Sequence, residues 1–213
     1  MIKFKLISIF IFIFAYSYSQ DSKKLTIGIY YQPGISNRYN TKELEGLTYK
    51  ARLGYATGLD IDYRLCNKFW LNSGLGVTYR SFKYFIEGGE VSPNSAGITY
   101  LPSWEEKLSS YSVTIPLRLI FMTKYSQHST MGFNCGVGYN LKFKTSEKIN
   151  NVNQNRIYAL FGLDFQYYLN ELLSVYIQPN LDIETINIDD SWENNMLWRN
   201  YDFGFKVGVK YRL

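Results

Sequence analysis

Residues 50–65 read K-A-R-L-G-Y-A-T-G-L-D-I-D-Y-R-L, and the alternation in this stretch is the main indication of the fold. Every second residue from Ala51 to Leu65 is apolar or nearly so, whereas the residues between, from Lys50 to Arg64, are small or charged. Strict period two over this length predicts a β-strand with one apolar and one polar face. The strand exceeds the roughly 5–6 residues of a typical globular strand and suffices for the roughly 9–11 tilted residues that cross a bilayer.

The same alternation recurs along the chain and predicts eight strands. Their predicted ranges are 25–33, 50–65, 69–83, 110–122, 130–143, 156–169, 173–183 and 199–213. The connections after the second, fourth and sixth strands are short, and those after the first, third, fifth and seventh are long. This layout is typical of bacterial outer-membrane barrels, with both termini at the short-turn, periplasmic end. The predicted fold class is all-β, an eight-stranded antiparallel up-and-down transmembrane β-barrel. Pro116 in the fourth strand predicts a bulge, because proline cannot donate to the ladder.

The two faces of the predicted strands differ sharply in charge. One face is almost free of charge, whereas the outer surface of a soluble eight-stranded barrel, such as a lipocalin, would meet water. The other face carries most strand glycines, which suits a crowded barrel interior. Asp60, Asp62 and Arg64 are expected to pair with Arg52, Arg118 and Lys210, because buried charges need partners. The predicted interior charge network comprises Arg52, Asp60, Asp62, Arg64, Arg80, Arg118, Lys142, Asp164, Asp182, Asp202, Lys206 and Lys210.

Aromatic residues are abundant, with 20 Tyr, 14 Phe and 4 Trp. On the apolar face they recur near both ends of the strands, which predicts two girdles at the two membrane interfaces. The girdle near the short turns comprises Tyr63, Phe69, Phe121, Tyr167 and Tyr211. The girdle near the long connections comprises Tyr79, Tyr111, Tyr139 and Tyr201.

The first 19 residues form a separate segment. Lys3 and Lys5 precede an apolar run, and small residues, Ser17 and Ser19, precede Gln20. This pattern predicts a secretory signal peptide over 1–19, cleaved from a barrel domain over 20–213. The alternative is a membrane anchor helix, for which the run is short of the roughly 20 apolar residues required.

Composition argues against several function classes. The net charge is +5, and the basic residues form no dense cluster, so nucleic acid is not an expected partner. The only histidine is His128, which argues against most histidine-based metal sites and catalytic triads. Cys66 and Cys135 have neither zinc-site spacing nor a predicted disulfide between them. We therefore predict no metal site, no cofactor and no catalytic residues.

Three segments carry a resemblance to a known family: Y-S-V-T-I-P-L-R-L at 111–119, L-x-V-x-I-Q-P at 173–179, and the terminal G-F-K-V-G-V-K-Y-R-L. On these the chain resembles the outer-membrane β-barrel domain family that includes the PorT-like proteins and the small OmpX- and OmpA-like barrels. The resemblance covers about residues 25–213. It implies a barrel fold and a membrane location more than it implies a specific function. It allows a role in an export or assembly machine.

Three functions follow as hypotheses. The first is a non-enzymatic structural or binding barrel of the Gram-negative outer membrane, presenting long extracellular loops with Trp104, Trp192 and Trp198 as contact residues. The second is an accessory subunit of an outer-membrane secretion or assembly machine. The third is a lipid A-modifying enzyme, which the shortage of histidine disfavours. The expected partners are outer-membrane lipid, the barrel-insertion machinery and a protein bound at the extracellular loops or periplasmic turns.

Overall fold

Alternating apolar and polar residues produce eight long strands that close into a barrel. The computed structural model describes residues 24–40, 47–88, 90–91, 99–100, 102–145, 155–187 and 198–213. The predicted leader and Trp192 lie outside the described residues. The barrel strands are β1 Leu25–Asn40, β2 Leu47–Arg64, β3 Phe69–Ile86, β4 Trp104–Lys124, β5 Ser129–Thr145, β6 Asn155–Tyr168, β7 Leu173–Asn187 and β8 Trp198–Arg212.

Each strand pairs antiparallel with its neighbours in sequence, and β1 pairs with β8 to close the sheet. Thr26 of β1 illustrates the closure, because it lies opposite Asp62 of β2 on one side and Arg212 of β8 on the other. The predicted fold class is therefore confirmed. A two-residue pairing, Glu90–Val91 with Thr99–Tyr100, lies between β3 and β4. The described residues include no helix long and apolar enough to cross a membrane.

The strands run further toward the long connections than the sequence predicted. β1 continues to Asn40 and β2 begins at Leu47, so the connection predicted over 34–49 is mostly strand. β4 begins at Trp104, and its ladder with β3 reaches the pair Ile86 and Trp104. The predicted long loops are shortened accordingly, and Trp104 and Trp198 each begin a strand.

The register shifts lie elsewhere than at Pro116. In β4 the shift falls between Tyr111 and Ser112, and Pro116 lies opposite Gly138 in an unbroken ladder with β5. Further shifts occur between Ala51 and Tyr55 and between Ile157 and Tyr158. The predicted bulge at Pro116 is therefore wrong, because the chain loses one donor there without adding a residue.

Two rows of aromatic rings cross the outer face. One row runs through Tyr31, Tyr55, Tyr79, Tyr111 and Phe143, with successive ring centroids 4.9–6.4 Å apart. The other contains Phe69, Phe121 and Phe133, at 5.3 and 5.6 Å. Along β3 the two rows are about ten residues apart, which at ~3.3 Å per residue and a tilt of about 40° gives a height of about 25 Å.

Candidate functional site

The half of the interior nearer the short turns is organised around Asp60. This carboxylate is 1% exposed, accepts a hydrogen bond from the hydroxyl of Tyr176, and lies 3.2 Å from the Nζ of Lys206. The same Nζ lies 4.3 Å from the centroid of the Tyr30 ring. An anion, a cation and two phenol rings therefore fill the centre of the barrel without leaving either charge alone.

Asp62 and Lys210 form a second buried pair, one layer closer to the turns. Their charged atoms are 2.5 Å apart, and Asn72 donates to the same carboxylate at 2.6 Å. Lys210 lies opposite Gly28 of β1 and must cross that strand to reach β2. A Cβ at Gly28 would lie 2.9 Å from the Cγ of Lys210, so glycine leaves room for the lysine stem.

A chain of polar contacts crosses the middle of the barrel from β6 to β4. Asp164 accepts hydrogen bonds from Asn134 at 2.5 Å and from Gln178 at 2.6 Å. Gln178 in turn accepts from Arg118 at 3.1 Å, and the other end of that guanidinium lies 3.7 Å from Asp182. The arrangement ties β4, β5, β6 and β7 together through their inward faces.

The half nearer the long connections is held by arginines. Arg80 pairs with Asp202, donates to Ser112 at 3.1 Å and lies 4.7 Å from the centroid of the Tyr158 ring. Lys142 is buried in the same half. Arg52 is half-buried on β2, and Arg64 is half-buried at the turn end. The structure therefore separates Arg52 and Arg64 from the buried pairs of Asp60 and Asp62.

A further buried cluster, centred on Glu184, was not predicted. Arg156 donates to both of its carboxylate oxygens, at 2.5 and 2.6 Å, and the backbone N–H of Asn200 donates at 3.1 Å. Arg38 donates to the side chain of Asn200 at 3.0 Å. Arg156 shares the parity of buried Tyr158, so the period-two pattern could have identified it. Glu184 and Arg38 lie in stretches that were predicted to be connections.

These side chains leave little space inside the barrel. Among the described residues, the cavity beside Tyr30, Arg80 and Asp182 measures about 40 Å³, and one beside Arg38 and Tyr158 about 10 Å³. One water molecule needs roughly 10–15 Å³ of space open to a water-sized sphere, so these two cavities hold a few waters at most. The described interior is filled, not hollow.

The mouth at the short-turn end is open. A cavity of about 630 Å³ is lined by Arg64, Trp70, Met122, Lys124 and Arg212 together with residues of the turns. Its apolar floor is the buried cluster of Trp70, Ile120 and Met122. Three cations, Arg64, Lys124 and Arg212, give this cavity charged walls.

Other residues singled out in the sequence lie apart from one another. Trp104 is 51% exposed at the start of β4, Trp198 begins β8, and Trp192 lies outside the described residues. His128 lies in a turn, with its ring 6.4 Å from that of Tyr167. Cys66 and Cys135 are free and exposed. In the described ranges no group of three His, Cys, Asp or Glu side chains is placed to hold a metal ion.

Comparison with known proteins gives a fold but no family. No protein-family model matches the chain, and no curated protein matches it. Among solved structures, the outer membrane protein OprG of Pseudomonas aeruginosa is similar, with a TM-score of 0.50 and 11% identity over 91% of this chain and 97% of that one. Neisserial surface protein A gives a TM-score of 0.46 and 9% identity over 88% and 97% of the two chains. Ail of Yersinia pestis gives 0.44 and 11% over 91% and 100%.

Proposed function

We propose that the protein is an integral outer-membrane barrel of a Gram-negative bacterium, with a structural or binding role and no enzymatic activity. The observation that carries this proposal is the reversed polarity of the two faces. Outward Ile29 and Phe133 are 62% and 54% exposed, whereas inward Asp60 and Lys206 are 1% and 2% exposed. Exposing apolar side chains and burying charges is costly in water, but it is the arrangement a lipid environment requires.

The dimensions of the outer face support the same proposal. The two aromatic rows bound a belt about 25 Å high, which matches the apolar band of outer-membrane barrels. All strand backbones pair around a closed circle, so lipid would meet no unpaired sheet edge within the belt. The similarity of the fold to that of OprG is consistent with a membrane barrel but does not indicate a specific function.

The interior supports a role other than that of an open diffusion pore. The ion pairs and rings around Asp60 and Arg80 fill the lumen, and eight strands leave little room beyond side chains.

The end opposite the turns supplies a surface for binding. β3 continues past Tyr79, its residue in the aromatic row nearer the long connections, and pairs with β2 up to Leu47 and with β4 up to Trp104. This extension carries the exposed Trp104 and a surface ion pair between Lys83 and Glu105. Tryptophan is enriched at protein-recognition surfaces. An accessory role in a secretion or assembly machine is the second candidate, favoured by the resemblance to the PorT-like proteins.

The test is extraction of the protein from whole membranes, followed by electrophoresis with and without boiling. The proposal predicts that release needs detergent and that the unboiled band migrates differently from the boiled one, because a closed barrel resists dodecyl sulfate. Release by salt alone would refute the membrane proposal and favour a soluble barrel. Migration in a much larger assembly in mild detergent, retained by Trp104→Ala, would move the accessory-subunit candidate to the front.

A further inference from the structure

The open mouth at the turn end combines charge with an apolar floor. Three cations line it, Arg64 of β2, Lys124 of β4 and Arg212 of β8, against one lining carboxylate, Glu171. All three cations have the inward parity of their strands, so they face the cavity and not the outer belt. A volume of about 630 Å³ lies within the range of ligand pockets.

The mouth arginines differ from the cations deeper in the barrel. Lys206, Lys210 and Arg80 each contact a carboxylate directly. Within the described ranges, by contrast, neither Arg64 nor Arg212 lies within ion-pair distance of a carboxylate. The three lining cations outnumber the one lining carboxylate, Glu171, so the mouth carries a net positive charge.

Both guanidinium groups are nonetheless held in place. Arg64 lies 5.9 Å from the centroid of the Trp70 ring and donates to the side chain of Asn67 at 2.8 Å. Arg212 lies 5.2 Å from the centroid of the Tyr168 ring. A guanidinium that lies over a ring keeps its N–H edges available for an anion, and planar arginine groups suit a carboxylate in particular.

The two arginines are placed to act together. Arg212 lies opposite Thr26 of β1, and the backbone N–H of Arg64 donates to the carbonyl of Lys24, at the start of the same strand. They therefore flank β1 on its two sides, two residues out of line, and lie about 12 Å apart at the backbone from two strand spacings and two residue rises. Side chains of this length can converge on one anion from that separation.

We propose that this mouth binds the carboxyl terminus of an extended peptide. The terminal carboxylate would lie between Arg64 and Arg212, and an apolar last side chain would lie on Trp70 and Met122. A chain end is narrow enough to enter along the barrel axis, and it joins an anion to an apolar group in the way the cavity does. Lipid headgroups are a poorer fit, because the apolar belt proposed to meet lipid is on the outward face and the floor of the mouth is a packed, buried cluster of Trp70, Ile120 and Met122.

The experiment is a calorimetric titration of the full-length barrel, in a neutral detergent, with N-acetylglycyl-phenylalanine and with its carboxamide. The free acid is expected to bind and the amide to show no measurable binding. Arg64→Gln and Arg212→Gln are each expected to weaken binding about tenfold, the loss of one charge-assisted contact. Lys144→Gln, in β5, removes the same charge at the opposite end and is expected to leave binding unchanged. Heat-modifiable migration checks that every variant is folded.

Several outcomes would overturn the proposal. Equal binding of acid and amide would remove the role of the carboxylate, and equal weakening by Lys144→Gln would show only a general charge effect. Inorganic phosphate or acetate binding as tightly as the peptide would show a simple anion site without use of the apolar floor. No heat of binding from the free acid up to millimolar concentration would also refute it. None of these outcomes bears on whether the chain spans a membrane.

Discussion

The pair of Asp60 and Lys206 offers a quantitative test of the filled interior. Its charged atoms lie 3.2 and 3.3 Å apart, with both side chains 2% exposed. At an effective dielectric constant of about 20, a separation near 3 Å corresponds to a gross attraction of about 5 kcal/mol. Desolvation offsets much of this, but removing one partner leaves the other buried and uncompensated, at a cost of about 3–5 kcal/mol.

The perturbation is a double-mutant cycle of Asp60→Asn, Lys206→Met and the double variant. Asp60→Asn is expected to be the most destabilising, because it leaves Lys206 without a carboxylate, whereas Lys206→Met leaves Asp60 its bond from Tyr176. The double variant buries neither charge and is expected to recover about 2–3 kcal/mol relative to the sum of the single changes.

The assay is reversible unfolding by urea in phospholipid vesicles, followed by tryptophan fluorescence. The corresponding cycle at the exposed pair of Lys83 and Glu105 is the control and is expected to show little or no coupling. Additive effects at Asp60 and Lys206, equal to those of the control, would refute the claim that this pair is a desolvated part of a filled core.

Three further predictions follow from glycine placement, the lipid belt and the filled lumen. Gly136→Ala should destabilise the barrel by about 1–3 kcal/mol, because its Cβ would lie 2.7 Å from the Cα of Arg118 in β4. Gly138→Ala should be tolerated, because its Cβ would meet only the side chain of Leu160, at 3.2 Å. The free energies of unfolding in urea compare the two variants. Leu117→Arg in the belt should cost about 2–4 kcal/mol in vesicles, while Tyr125→Arg in a turn should change stability little; equal costs would contradict the belt. In planar bilayers the protein should show no steady conductance, and large constant steps at low voltage would contradict a filled lumen.

The period-two pattern was enough to predict the closed barrel of eight strands. The strands were predicted correctly between the two aromatic rows, because each strand there has one apolar and one polar face, as at Leu59 and Asp60. Beyond Ile35 in β1, the residues Ser36, Asn37 and Arg38 are polar on both faces of the strand. The stretch around Ser36 and Arg38 therefore shows no alternation and was predicted as a connection, although it is strand.

Which interior charges pair with one another depends on the register between neighbouring strands. The sequence of a single strand does not contain this information. Asp62 and Lys210 pair diagonally across β1, because Asp62 lies opposite Thr26 and Lys210 lies opposite Gly28, two residues further along that strand. Residue type alone did not distinguish Lys210 from Arg52 as a partner. Arg64 was predicted to belong to the interior charge network because it has the inward parity of β2. It is the last residue of that strand, however, and therefore lines the open mouth.

The two native cysteines provide the most direct test of the central claim, that the outward face meets lipid. Cys135 lies opposite Leu119 on the outer face of the belt, whereas Cys66 lies in a turn. Hydrogen bonds from the backbone near Lys68 and Phe69 hold the pKa of the Cys66 thiol below its usual range. Its thiolate, the reactive form, is therefore present at lower pH than in a free cysteine.

The measurement is labelling of open outer-membrane fragments with a polyethylene glycol maleimide, counted as mass shifts on a gel. One adduct, on Cys66, is expected in intact fragments, and two adducts are expected after boiling in dodecyl sulfate. Replacing Cys66 by serine should abolish labelling of intact fragments. Rapid labelling of Cys135 in the absence of detergent would contradict the account, because it would show that the apolar belt faces water.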